Sequence, residues 1–195
     1  MQTGTFQKLE GTVEVDETFV GGLEKNKHKD KKQHKGRGSV GKSVVLGVLN
    51  RGDAQRISQI RVKVITDTKQ NTLHMEIKAY AKEGAEVFTD AYRGYPGLEE
   101  SYRRAFVDHA IKYVEGRVST NGVENFWSLL DRSIDGTYIK PEPQHLSRHV
   151  DEQAFRFNHR RGTDLTRFLQ TVKQIAGKRL TYDELITNHL ETIEP

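Results

Sequence analysis

Three acidic residues in this chain sit in short motifs whose order and spacing suit metal-assisted phosphoryl chemistry. Asp16 lies in Val13-Glu14-Val15-Asp16-Glu17-Thr18-Phe19, and Asp90 in Val87-Phe88-Thr89-Asp90-Ala91-Tyr92-Arg93-Gly94-Tyr95. Glu124 lies in Thr120-Asn121-Gly122-Val123-Glu124-Asn125-Phe126-Trp127-Ser128. The first two close apolar, β-branched runs that read as strands; the third opens a segment with helical periodicity. Carboxylates at two strand ends and on one helix face can converge on a pair of hard divalent cations, Mg²⁺ or Mn²⁺. Such a pair drives in-line attack on a phosphodiester.

Each acid alone has an ordinary explanation. Asp16 could be an exposed strand carboxylate, Asp90 a turn residue after a strand, and Glu124 a first-turn glutamate favoured by the helix dipole. Strand alternation puts Asp16 and Glu14 on one face and Glu17 on the other. After Asn121, residues Glu124, Ser128 and Asp131 follow at helical spacing and form one polar stripe. Arg132 is turned about 100° from Asp131. Asn121 also suits a helix cap. Trp127, beside Glu124, reads as packing that locks the helix. Gly36-Arg37-Gly38-Ser39-Val40-Gly41-Lys42-Ser43 matches a Walker A loop by letter. A strand follows it rather than a helix, so it reads as a glycine-rich loop entering a strand. Eight histidines show no spacing for a structural zinc site.

The elements that must position these groups follow from periodicity. Residues 11–20, 43–50 and a segment marked by Ile57, Ile60, Val62, Val64 and Ile65 predict a three-stranded meander. Helical spacing covers 69–82, a short buried strand runs from Glu86 to Thr89, and Arg104 to Val107 suggests a fifth strand. The last third is helical. One apolar face comprises Val123, Phe126/Trp127, Leu130 and Ile134, and a second Leu146, Val150, Ala154 and Phe157. A third comprises Leu165, Phe168/Leu169, Val172 and Ile175/Ala176. A short helix is expected within 181–190. Most aromatics here read as core.

The length, 195 residues, suits one ordinary domain with a real core. No run reaches the length of a membrane helix and no signal peptide opens the chain. There is no cysteine, hence no disulfide. The net charge of +4 is uneven. Between positions 25 and 42, Lys25, Lys27, Lys29, Lys31, Lys32, Lys35, Arg37 and Lys42 face only Asp30, a local charge of +7 that leaves −3 elsewhere. Such a block is either a solvated loop, mobile without a polyanion, or a phosphate-contacting one.

The motifs around Asp16, Asp90 and Glu124, together with Val150-Asp151-Glu152-Gln153-Ala154-Phe155-Arg156-Phe157-Asn158, resemble the catalytic core of DDE-type insertion-sequence transposases. The similarity is to the insertion-sequence family fifteen-ninety-five branch. It spans roughly positions 11 to 161, with 34 positions from Asp90 to Glu124. The resemblance implies an α/β, ribonuclease-H-like mixed sheet flanked by helices, with a helical C-terminal extension. Residues 1–10 would be an N-terminal extension, 11–161 the catalytic domain containing a basic loop at 24–42, and 162–195 a helical tail. It implies metal-dependent DNA cleavage and strand transfer, with Asp16, Asp90 and Glu124 holding two ions and Asn121 and His109 assisting. Whether Asn121 assists or replaces Glu124 as third ligand is open at this stage. Lys27, Lys29, Lys31, Lys32, Lys35, Arg37 and Arg132 would bind DNA, and Arg148, Arg156, Arg160 and Arg161 would track its backbone. The expected partners are double-stranded DNA and further copies of the chain, in a cytoplasmic, nucleoid-associated setting. Two departures stand out: the family's zinc ribbon has no cysteines here, and Asp131 occupies a position where that family usually has a base. A catalytically silent DNA-binding remnant and a ribonuclease-H-like nuclease that does not transpose are the alternative readings.

Overall fold

The computed structural model describes residues 7–22, 41–107, 117–138 and 141–186. Three antiparallel strands open the fold: β1 (Thr12–Val20), β2 (Ser43–Asn50) and β3 (Gln59–Ile65). Helix α1 (Gln70–Tyr80) then crosses to β4 (Glu86–Asp90), which pairs parallel with β1, and β5 (Arg103–Val107) pairs parallel with β4. The sheet order is β3-β2-β1-β4-β5. Helices α2 (Asn121–Ser133), α3 (Pro143–Asn158), α4 (Asp164–Ile175) and α5 (Tyr182–Ile186) complete the described chain. A π-helical turn, Ile134–Tyr138, extends α2.

The sheet is covered on both faces, which explains why β2 is apolar along nearly its whole length. Val44, Leu46 and Val48 pack with Leu73 and Ile77 of α1, together with Tyr95. Val45 and Leu49 point the other way and pack with Val123, Phe126, Trp127 and Leu130 of α2. The α3 stripe Leu146, Val150, Ala154 and Phe157 joins that second core. Asn158 ends α3 and is buried. Its side chain accepts from Ile60 N at 2.8 Å and donates to Ile60 O at 2.9 Å, satisfying backbone groups of edge strand β3. The motif that ends in Asn158 thus fastens the helical layer to the sheet.

Most expected elements occur within a few residues of their predicted bounds. Two details differ. Ile57 precedes β3, because a turn stapled by Asp53 Oδ1 to the amides of Gln55 and Arg56 (2.7 and 2.8 Å) delays the strand. The third apolar face, on α4, is not core: α4 has no buried residue, and Phe168 is 63% exposed. Its periodicity is helical as predicted, but the helix turns the apolar stripe outward.

Candidate active site

Strand β1 carries two carboxylates on the face beneath α2. Glu14 is 2% exposed and compensated on all sides. Arg51 Nε lies 2.5 Å from Glu14 Oε1, and Val123 N donates to Glu14 Oε2 at 3.0 Å. A buried anion at a helix N-terminus is favoured by the dipole and by the unpaired amides there. Gly122 is required for this approach, since a Cβ at that position would sit 2.8 Å from Glu14 Oε2. Arg51 also donates to the carbonyls of Arg117 and Ser119 at 2.7 and 2.9 Å. One ion pair therefore locks the approach to α2, and with it the position of Glu124, onto β1.

Asp16 lies two residues along the same face. Its neighbour across β2 is Gly47. A Cβ on Gly47 would meet the Trp127 ring at 2.7 Å, so the missing side chain is what lets the indole lie over the strand. There Trp127 Nε1 donates to Asp16 Oδ2 at 2.8 Å. Trp127 is the packing residue the helix pattern implies, and it also holds Asp16. The parallel register Thr12↔Glu86 to Glu14↔Phe88, carried two residues on, sets Asp16 level with Asp90 at the end of β4. Asp90 Oδ1 accepts from Tyr92 N at 2.9 Å. Glu124, in the first turn of α2, accepts from Thr120 Oγ at 2.7 Å.

These carboxylates feel one another. The Asp16 carboxyl is pushed up to about 6, chiefly by burial, with the charges of Asp90 and Glu124 adding to the rise and the Trp127 hydrogen bond opposing it. Glu17, on the opposite face of β1, is pushed up to about 7 by burial, opposed by a hydrogen bond from Tyr95, with Asp16 and Asp90 adding repulsion. The Tyr95 hydroxyl, fully buried, donates to Glu17 Oε2. Asp16 lies in the middle of β1 rather than at its end, because the strand runs on to Val20, and among the described residues no base pairs with it or with Glu17 as Arg51 does with Glu14.

The donor set fits a hard divalent cation in kind: it is all oxygen, anionic and mutually repelling. Among the described residues, no three acidic or histidine side chains are drawn together tightly enough to hold an ion as they stand. Asp16 and Glu124 lean instead on Trp127 and Thr120.

The other residues singled out from the sequence are placed as follows. Asn121 is exposed at the first position of α2, behind the N-cap Thr120. Arg132 is exposed and donates from Nε to Ser128 O at 3.2 Å. Asp131 is exposed, and its carboxyl is raised by partial burial and by the charge of Asp135, with Lys42 opposing. Lys27, Lys29, Lys31, Lys32, Lys35, Arg37 and His109 lie outside the described residues. Three of the four arginines expected to track a DNA backbone have intrachain duties. Arg148 donates to the carbonyls of Glu184 and Leu185, Arg156 pairs with Glu152, and Arg160 binds Ser58 while stacking on Phe157. Arg51, Gly47, Glu17 and Tyr95 were not predicted as parts of the site. Gly47 left a signal, since an isolated glycine inside an apolar strand marks close approach by another group.

A mixed five-stranded sheet in this order, with one acid in the middle of β1, one at the end of adjacent β4 and one on the following helix, defines a ribonuclease-H-like fold. The structure is similar to the catalytic core domain of BIV integrase, with a TM-score of 0.50 and 9% identity over 86% of this chain and 99% of that one. Comparison with curated proteins gives no match. The ISXO2-like transposase domain matches residues 8–158, and the chain belongs to that family. Among the described residues no helix is long and apolar enough to cross a membrane.

Proposed function

We propose that this chain cleaves DNA strands and joins the freed 3′ ends to a target, as the catalytic domain of an insertion-sequence transposase. The observation that carries the reading is the juxtaposition of acids from three separate elements: the β1–β4 register sets Asp16 level with Asp90, and Trp127, on the helix that carries Glu124, donates to Asp16. Asp16, Asp90 and Glu124 would hold Mg²⁺ or Mn²⁺, two ions in this reading, which when bound supply charge neutralisation at the attacking and leaving oxygens. The protein's own part is positioning. Trp127 orients Asp16 through its indole N–H, Thr120 orients Glu124, and the Tyr92 amide fixes Asp90. The Arg51–Glu14 pair keeps α2 in register with β1. Asn121, at the start of the helix that carries Glu124, and His109, in the segment after β5, are the candidate assisting residues of this reading. Lys27, Lys29, Lys31, Lys32, Lys35, Arg37 and Arg132 bind the phosphate backbone, whose contact requires cations but no fixed sequence. The setting is the bacterial or archaeal cytoplasm, and further copies of the chain assemble on the DNA.

The test is cleavage of a labelled duplex carrying element ends, with Mg²⁺ and with chelator. Cleavage should require Mg²⁺ and be abolished in Asp16→Asn and Glu124→Gln, both retaining the native circular dichroism spectrum. Undiminished cleavage by Asp16→Asn would sink the assignment. A second reading, a catalytically silent DNA-binding protein, is favoured by exposed Asp131 on the triad's helix, where a carboxylate repels phosphate. DNA binding without cleavage under any divalent ion would select it.

A further inference from the structure

We propose that the hydrogen bond from Tyr95 to Glu17 is a clamp behind the sheet that fixes the spacing of Asp16 and Asp90, which makes Tyr95 and Glu17 positioning residues for the divalent-cation site. The inference rests on the metal-dependent reading above. The need for a clamp comes from the sheet itself. The parallel ladder between β1 and β4 ends at Glu14↔Phe88, two residues short of Asp16 and Asp90. Each strand stays with its outer neighbour for longer. β1 is paired with β2 as far as Val20, and β4 with β5 as far as Asp90. The sheet therefore opens between β1 and β4 at the level of the acids. Two carboxylates on one face of such an opening repel each other, and beyond Phe88 the ladder no longer sets how far apart they stand.

The tie crosses on the other face. Side chains alternate along β1, so Asp16 lies on the α2 side, whereas Glu17 shares the α1 side with Val13 and Val15. The chain leaving Asp90 brings Tyr95 to that same side, fully buried among Leu73, Ile77 and Leu98. There its hydroxyl donates to Glu17 Oε2. The residue just after Asp16 is thus joined to the segment just after Asp90. The turn that carries Tyr95 is held in place as well. Tyr92 N donates to Asp90 Oδ1 at 2.9 Å, the Tyr92 hydroxyl shares a hydrogen bond with Thr68 Oγ1 at 2.7 Å, and the Tyr92 and Tyr95 rings meet edge to face at 6.1 Å. Gly94 is pressed against α1 and the residues before it. A Cβ there would lie 2.5 Å from Leu73 Cδ1 and 3.0 Å from Thr68 O. One turn therefore orients the Asp90 carboxylate at its near end and grips β1 at its far end. Groups that hold metal ligands from behind set metal affinity in this way.

The test is calorimetric titration of Mn²⁺ into the full chain without DNA, for the wild type and four variants whose folding is checked by circular dichroism. Tyr95→Phe keeps the ring and every carboxylate and removes only the hydroxyl. It should weaken Mn²⁺ binding about tenfold. Glu17→Gln and Glu17→Ala lose the same charge, but the glutamine amide oxygen still accepts from Tyr95. The alanine variant should therefore bind Mn²⁺ about tenfold more weakly than the glutamine variant. Asp16→Asn, which alters a ligand, marks the loss expected when the site itself is damaged. Should Tyr95→Phe not fold, the comparison of Glu17→Gln with Glu17→Ala decides the matter. Wild-type affinity in folded Tyr95→Phe, or equal affinity in the two Glu17 variants, would overturn the clamp and reduce the bond to satisfying a buried phenol. With Asp16→Asn still impaired, that result would leave the metal-dependent reading standing. A wild type that binds no Mn²⁺, or an Asp16→Asn variant that binds it equally well, would instead overturn that reading and the clamp with it.

Discussion

Neighbouring positions inside strand β1 treat buried carboxylates in opposite ways. Glu14 is matched by Arg51, by the Val123 amide and by the positive end of α2. Two and three residues on, Asp16 and Glu17 lie among acids, and among the described residues their side-chain donors are an indole and a phenol, neither of them a base. Two positions along one strand thus separate a carboxylate that stabilises the fold from one whose environment disfavours its own charge. Uncompensated like charge persists where something outside the chain is meant to neutralise it, and this is the pattern expected of a functional rather than a structural acid.

Breaking the compensated position should have the largest effect. Glu14→Ala leaves Arg51 without its partner and the α2 amide unpaired, and should cost about 3 kcal/mol or more of stability, read by urea denaturation. Filling the space beside Asp16 comes next. Gly47→Ala drives a methyl into the Trp127 ring and should cost about 1–3 kcal/mol, with cleavage falling further than stability because Asp16 loses its orientation. If Gly47→Ala lowered stability but left cleavage intact, Trp127 would be packing only.

A pH series sharpens the contrast. Asp16 and Glu17 bind protons more tightly in the folded chain than in the unfolded one. Their contribution to stability is therefore fully present below about pH 4 and is lost as pH rises through about 6 and about 7. The variant Asp16→Asn with Glu17→Gln should remove that decline, so its melting temperature should gain on the wild type between pH 5 and 8. Parallel pH profiles of the two proteins would mean that the Asp16–Glu17 stretch of β1 carries no excess charge. The smallest effect belongs to Asp131. It is exposed, so Asp131→Lys should tighten DNA binding by only about 1 kcal/mol, and mostly at low salt. No gain at low salt would put Asp131 away from the DNA.

Local patterns made the sheet, α1 to α3 and the three acids legible. Period-two runs and helical stripes are written in adjacent residues, and the motifs around Asp16, Asp90 and Glu124 are short. What could not be read was contact between distant residues: Trp127 reaches Asp16 across 111 positions, and Arg51 reaches Ser119 across 68. Glu14 was visible as sharing a face with Asp16, yet its compensation depends on a helix start far along the chain. The α4 stripe shows the converse limit. Periodicity states that one face is apolar, not whether the chain or another molecule covers it.

The central claim is that Asp16, Asp90 and Glu124 form one divalent-cation site. A crystal grown with Mn²⁺ at pH 7.5, with anomalous scattering recorded, addresses it most directly. The account predicts manganese bound by oxygens of all three carboxylates, with the Asp16 and Glu124 side chains drawn inward from Trp127 and Thr120. Manganese on other residues, with those two contacts unchanged and the triad vacant at an ion concentration that supports cleavage, would contradict it.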